Sequence, residues 1–164
     1  MDVNQTEKTF QLRGVYKMVK NVTTKYFNKN VYDLKKTDDN GELKFLGKKP
    51  VLIDFYATWC GPCRALEPVL EELSEEYKDK IDIYKVNTED EMELSAAFGV
   101  MSLPTLLFIP TEGKPAISPG APPKQMLKEL IDEKLLGKEV KKDELEEQVS
   151  KFKSLMNKIK KAIA

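Results

Sequence analysis

The run Val51-Leu52-Ile53-Asp54-Phe55-Tyr56-Ala57-Thr58-Trp59-Cys60-Gly61-Pro62-Cys63 constrains the architecture more than any other part of the chain. Its first six residues are a compact apolar run of β-formers, the pattern of a strand covered on both faces and therefore central in a sheet. From Cys63 onward Leu66, Val69, Leu70, Leu73 and Tyr77 recur at three and four. That spacing predicts an amphipathic helix whose outer face carries Glu71, Glu72, Glu75 and Glu76. The two cysteines thus fall where a central strand hands over to a helix.

That position has chemical consequences. Free N–H groups and the macrodipole at a helix N-terminus favour a thiolate over a thiol, which makes Cys60 the attacking sulfur. A three-residue offset places Cys63 on the same side, one turn along and more buried, able to resolve a mixed disulfide formed by Cys60. A zinc site would require two more soft ligands, and the chain has no third cysteine and no histidine. An inert disulfide is disfavoured because a four-residue loop restricts little chain entropy.

Asp54 stands inside an otherwise apolar strand, where a charged carboxylate is costly, so it either titrates high or has a partner. An edge strand with Asp54 in water fits poorly with so apolar a run. A buried carboxyl six residues before Cys60 can accept and return the proton when Cys63 becomes a nucleophile. Lys85, on the next predicted strand, is open to two readings: electrostatic partner of Asp54, or solvated surface cation.

Outward from this centre, strands and helices alternate. Val15 to Val22 reads as a strand, and Thr23 as the N-cap of a helix through Phe27, Val31 and Leu34, broken at Thr37 to Gly41. Ile81 to Val86 reads as a strand, and a short helix through Met92, Leu94 and Phe98 ends at Gly99. Thr105 to Ile109 and Ala116 to Ser118 form a hairpin turned at Glu112-Gly113. After Pro122-Pro123 comes a helix with Met126, Leu127, Leu130, Ile131 and Leu135 facing the core, ending near Gly137. The fold class is α/β: a central mixed sheet with helices on both faces.

Composition narrows the function. The 164 residues carry 27 basic and 27 acidic groups, so no net charge draws the chain to nucleic acid. Without histidine, imidazole-based catalysis is excluded. No apolar stretch reaches the roughly 18 residues of a membrane span. Residues 1–29 lack a continuous apolar segment and a small-residue cleavage site and do not read as a signal peptide. A soluble protein is expected, in the cytoplasm, or outside it if a leader has been removed.

The segment "VLIDFYATWCGPC" at Val51 to Cys63 closely resembles the active-site segment of thioredoxins, and "SLPTLLFI" at Ser102 to Ile109 resembles their cis-proline segment. The similarity covers about residues 15–137, including Thr23, Phe27, Lys85, Gly99, Gly113 and Gly120. It implies the thioredoxin fold and a thiol–disulfide oxidoreductase that uses no cofactor and acts on disulfide-containing protein substrates, recharged by an upstream reductase. It implies a cis Leu103–Pro104 peptide beside the sulfurs, with the backbone of Leu103 pairing to an extended substrate segment. Trp59, Gly61, Pro62, Leu103, Pro104 and Gly120 would form the substrate-binding surface, with Cys60, Cys63, Asp54 and Lys85 catalytic. Gly61-Pro62 between the cysteines resembles the reducing members, so disulfide reduction is the implied direction. The residues 41–49 loop and the long N-terminal arm are similar to those of some extracytoplasmic bacterial thioredoxins. Tyr56, Ser102 and Pro122-Pro123 depart from the common family pattern and bear on substrate preference.

Beyond Gly137 the resemblance ends. Asp143 with Glu146 predicts a capping box, and Leu145, Val149, Phe152, Met156, Ile159 and Ile163 follow at heptad spacing. This stripe over 143–163 suits packing on its own domain, docking to a partner or self-association, or contact with a membrane surface through its lysines. The organisation expected is an N-terminal arm at 1–14, a thioredoxin-like domain at 15–137 and an amphipathic helical extension at 138–164.

Overall fold

The computed structural model describes residues 18–138 and 142–163. Strand β4, Val51–Tyr56, lies at the centre of a five-stranded sheet, as its apolar run requires. It pairs in parallel with β5, Asp82–Asn87, and antiparallel with β6, Thr105–Ile109. The two-residue β1, Lys20–Asn21, extends the sheet beyond β5 in parallel, and β7, Ala116–Pro119, closes the other side as the predicted hairpin with β6. The order β1-β5-β4-β6-β7 makes a mixed sheet. Part of the predicted first strand, residues 15–17, lies outside the described residues, as does the N-terminal arm.

Because side chains alternate along a strand, the sheet divides its residues between two cores. On one face Leu52, Ile83, Leu106 and Phe108 meet Leu66, Leu70 and Leu73 of α2, Gly61–Glu76, and Leu127 and Ile131 of α4, Lys124–Lys134. On the other, Val51, Ile53, Phe55, Val86 and Leu107 meet Phe27 of α1, Thr24–Asn30, and Leu94 of α3, Met92–Ala97. Helices therefore cover both faces, and the α/β architecture expected from the sequence is the one found.

Several local expectations change. Helix α1 begins at its predicted cap, where Thr23 Oγ1 accepts the Tyr26 N–H at 3.1 Å, but it stops at Asn30. Val31 and Leu34 do not continue it. Tyr32–Thr37 forms β2, which pairs antiparallel with β3, Leu43–Phe45, in a separate two-stranded sheet. The stretch from Asp38 to Gly41 turns this hairpin: Asp38 Oδ1 accepts the N–H groups of Asn40 and Glu42, and Gly41 takes φ +78°. Burying Tyr32 against Phe27 and Phe45 outweighs one more helical turn.

The glutamates of α2 also do more than face water. Glu71 Oε2 accepts the backbone N–H groups of Met18 and Val19 at 2.8 and 3.3 Å, anchoring the segment before β1. Glu72 and Glu76 pair with Lys124 and Lys128, joining α2 to α4. Met92, expected on the inner side of α3, is exposed, and Leu94 alone of that pair is buried. Past Gly137 the predicted extension forms α5, Lys142–Ile163, which touches α4. The side chains of Asp143 and Leu145, on which the capping box and the first stripe position depend, lie outside the described residues.

Candidate active site

Strand β4 delivers the chain to the sulfur pair. After Tyr56 a short turn, in which the Cys60 N–H donates to the Ala57 carbonyl, brings Cys60 to the N-cap of α2. There Cys60 Sγ accepts the Cys63 N–H at 3.3 Å, one of the donors a helix start leaves unpaired. Gly61 and Pro62 make up the exposed first helical positions, where proline's missing N–H costs nothing. A Cβ on Gly61 would meet nothing within 4 Å, so this side of the turn is open to an approaching chain. The cysteines are joined as a disulfide with Cα atoms 5.3 Å apart. Both are buried, and the greater burial expected for Cys63 amounts to a small difference, 3% against 5% exposed.

The facing wall comes from the segment before β6. Leu103–Pro104 is a cis peptide, and Leu103 packs against the cluster of Ala57, Cys60 and Cys63. Two hydrogen bonds hold this turn. Gly120 N–H donates to the Pro104 carbonyl at 2.8 Å, and Thr105 Oγ1 donates to the Ser102 carbonyl at 2.7 Å. Gly120 sits at φ +95°, a backbone region that disfavours any residue with a Cβ. Trp59, 67% exposed, is fixed at its polar end by an Nε1–H bond to Glu89 Oε1 at 3.0 Å. Met101, two residues before Leu103 in the chain, is 97% exposed.

Beneath the disulfide lies a cavity of about 210 Å³ whose lining includes Cys63, Asp54, Tyr56, Arg64, Glu67 and Lys85. Asp54 and Lys85 are register partners on β4 and β5, so their side chains share the face toward α2. Both are buried. Among the described residues Asp54 Oδ1 has no hydrogen-bond partner, and burial pushes the carboxyl up to about 7, against the opposing pull of Lys85 and with a further push from Glu67. The sequence assigned Lys85 to Asp54 or to solvent. Lys85 is buried beside Asp54 and its charge pulls on that carboxyl, while its Nζ is bonded to Glu67 Oε1 at 2.7 Å and lies 5.2 Å from the centre of the Tyr56 ring. Lys85 therefore acts on Asp54 through space, with its direct bond given to another carboxylate. Glu67 was not foreseen, although it lies four residues after Cys63 and three before Leu70, half-buried on the same side of α2 as those two.

The family described as "Thioredoxin" matches residues 18–133. The chain is 48% identical over 103 residues to a thioredoxin of Borreliella burgdorferi, a span of 63% of this chain and 86% of that protein. It is 45% identical over 85 residues to a thioredoxin of Bacillus subtilis, 52% of this chain and 82% of the relative. A chloroplastic M-type thioredoxin of Pisum sativum is 41% identical over 91 residues, 56% of this chain and 53% of that one. Among the described residues no helix is long and apolar enough to cross a membrane.

Proposed function

The chain belongs to the thioredoxin family of thiol–disulfide oxidoreductases, and from that premise we propose that it reduces disulfides in protein substrates by exchange at Cys60 and Cys63. The observation that carries this reading is the position of the pair: Cys60 caps α2, and Cys63 is one turn inside, above the Asp54 cavity. In the reduced enzyme the Cys60 thiolate attacks one sulfur of the substrate disulfide. A bond forms between Cys60 and that sulfur, the substrate S–S bond breaks, and the departing sulfur takes up a proton. Asp54 then accepts the proton of Cys63, whose thiolate attacks Cys60 Sγ. The second substrate thiol leaves, and the Cys60–Cys63 disulfide remains, two electrons having passed to the substrate.

Trp59, Gly61, Pro62, Leu103, Pro104 and Gly120 form the docking surface in this reading. In this reading the Leu103 backbone, beside the sulfur pair, takes up an extended substrate segment by strand-like pairing. Lys85 holds the field at Asp54, and an upstream dithiol reductase restores the thiols. The exchange belongs to the unit of residues 15–137, with 138–164 appended to it. Reduction of insulin disulfides with a dithiol donor tests this directly. Turnover is expected to vanish in Cys60→Ser and to survive deletion of residues 138–164; the reverse pattern overturns the assignment. Equilibration with glutathione tests the direction. A potential near about −270 mV is expected, and one near about −120 mV would mark a net oxidant.

A further inference from the structure

Helix α5 carries an apolar stripe whose first part, Val149 and Phe152, is half-buried and whose second part, from Met156 to Ile163, is exposed. Val149, Phe152, Met156, Ile159 and Ile163 follow at three and four along one side, flanked by Leu155. Leu155 is 55% exposed and Ile163 79%, and Met156 and Ile159 are exposed as well. At 22 residues the helix is about 33 Å long, and its exposed apolar residues lie in its C-terminal half.

The charges on the same helix indicate what covers the stripe. Asp143, Glu144, Glu146 and Glu147 occupy its first third, and after Glu147 every charged residue is a lysine: Lys151, Lys153, Lys158, Lys160 and Lys161. Helix-dipole compensation explains acids in the first turn and bases in the last, but the dipole effect fades within one turn and does not account for Lys151 and Lys153 near the middle. A helix negative at one end and positive over the rest is complementary to its own reverse. We propose that α5 pairs antiparallel with α5 of a second copy of this chain, making the protein a dimer through its extension. Centred near Ser154, this arrangement sets Val149 across from Ile159 and Phe152 across from Met156; Glu146 flanks the seam opposite Lys160 of the other copy at both ends, two opposite-charge contacts against the one like-charge contact of Lys153 with its own copy at the middle. Within residues 142–163 a parallel pair sets Gln148 beside Lys153 and Leu155 beside Lys160, with no glutamate–lysine contact along the seam.

The test uses the full chain with Cys60→Ser and Cys63→Ser, so that the reactive sulfurs do not interfere. Sedimentation across roughly 1 µM to 1 mM is expected to show a monomer–dimer equilibrium. Phe152→Glu or Ile159→Glu should weaken it at least about tenfold, while Asn157→Glu, off the seam, should leave it within about twofold. For orientation, Val149→Cys and Ile159→Cys chains are oxidised separately and together. Cross-linking in the mixture and none in either chain alone is expected. Cross-linking of each chain with itself would overturn the antiparallel arrangement. A monomer at the highest concentration, whether or not α5 then binds anionic vesicles or another protein, would overturn the proposal altogether.

Discussion

On one face of the central sheet Val51, Ile53 and Phe55 of β4 lie under Phe27, Tyr32 and Phe98, a core of aliphatic chains and tilted or edge-on rings. The opposite face, built by the intervening residues of the same strand, buries Leu52 and then Asp54, with Lys85 beside it and a cavity under the sulfurs. The two-residue period of a strand allows this division. One face supplies packing free energy, and the other gives some of it up to hold a carboxyl in the cavity that Cys63 lines, where the proposed exchange puts its proton acceptor.

Substitutions on the two faces should therefore act in opposite senses. The largest effect is expected on the apolar face: Phe27→Ala removes a fully buried ring and should cost about 3–5 kcal/mol in urea unfolding. Exchange activity per folded molecule should be unchanged. On the other face Asp54→Asn should stabilise the protein. The fold retains the Asp54 proton to about pH 7, whereas an unfolded chain releases it near pH 3.8, so wild-type stability declines as pH rises through this window. Above it the variant should be more stable by on the order of 4 kcal/mol, while the Cys63 resolving step slows. Equal stability of the two proteins at pH 5 and pH 9 would contradict the burial argument.

A smaller effect separates the two neighbours of Asp54. Lys85→Met removes the cation that draws the Asp54 carboxyl down, and Glu67→Gln removes the anion that pushes it up. The midpoint of the pH–rate profile should move upward in the first and downward in the second, each by about one pH unit or less. Movement in the same direction would show that Glu67 acts only by holding Lys85 in place. The smallest change is expected on the apolar side, where Thr23→Ala removes the cap of α1 and should cost about 1 kcal/mol with the pH profile unaltered.

Most of the apolar framework was legible because its signals are local. The run at 51–56, the stripe from Leu66 to Tyr77 and the hairpin residues at 105–119 each specify their element by periodicity, and the observed strands and helices lie where that periodicity puts them. The cis peptide at Leu103–Pro104 came from family resemblance; periodicity does not encode it. The β2–β3 hairpin was misread because Val31 and Leu34 also fit a helical spacing from Phe27. Asn40-Gly41, a strong hairpin signal, was taken as a simple break. The Glu67–Lys85 bond was hidden for a different reason: among many glutamates on α2, only the tertiary fold shows which one meets the strand cation. Helix α5 was readable from its heptad spacing, but its exposure was not, since the same stripe would suit packing on its own domain.

The asymmetry between the two sulfurs is the centre of this account, and trapping tests it most directly. Reduced Cys63→Ser, mixed with a disulfide-bonded protein, should accumulate a covalent adduct through Cys60, identified by mass spectrometry and released by a reducing agent. Cys60→Ser should yield little. Adducts of equal yield in the two variants, or a preference for Cys63, would contradict the assignment of Cys60 as the attacking sulfur.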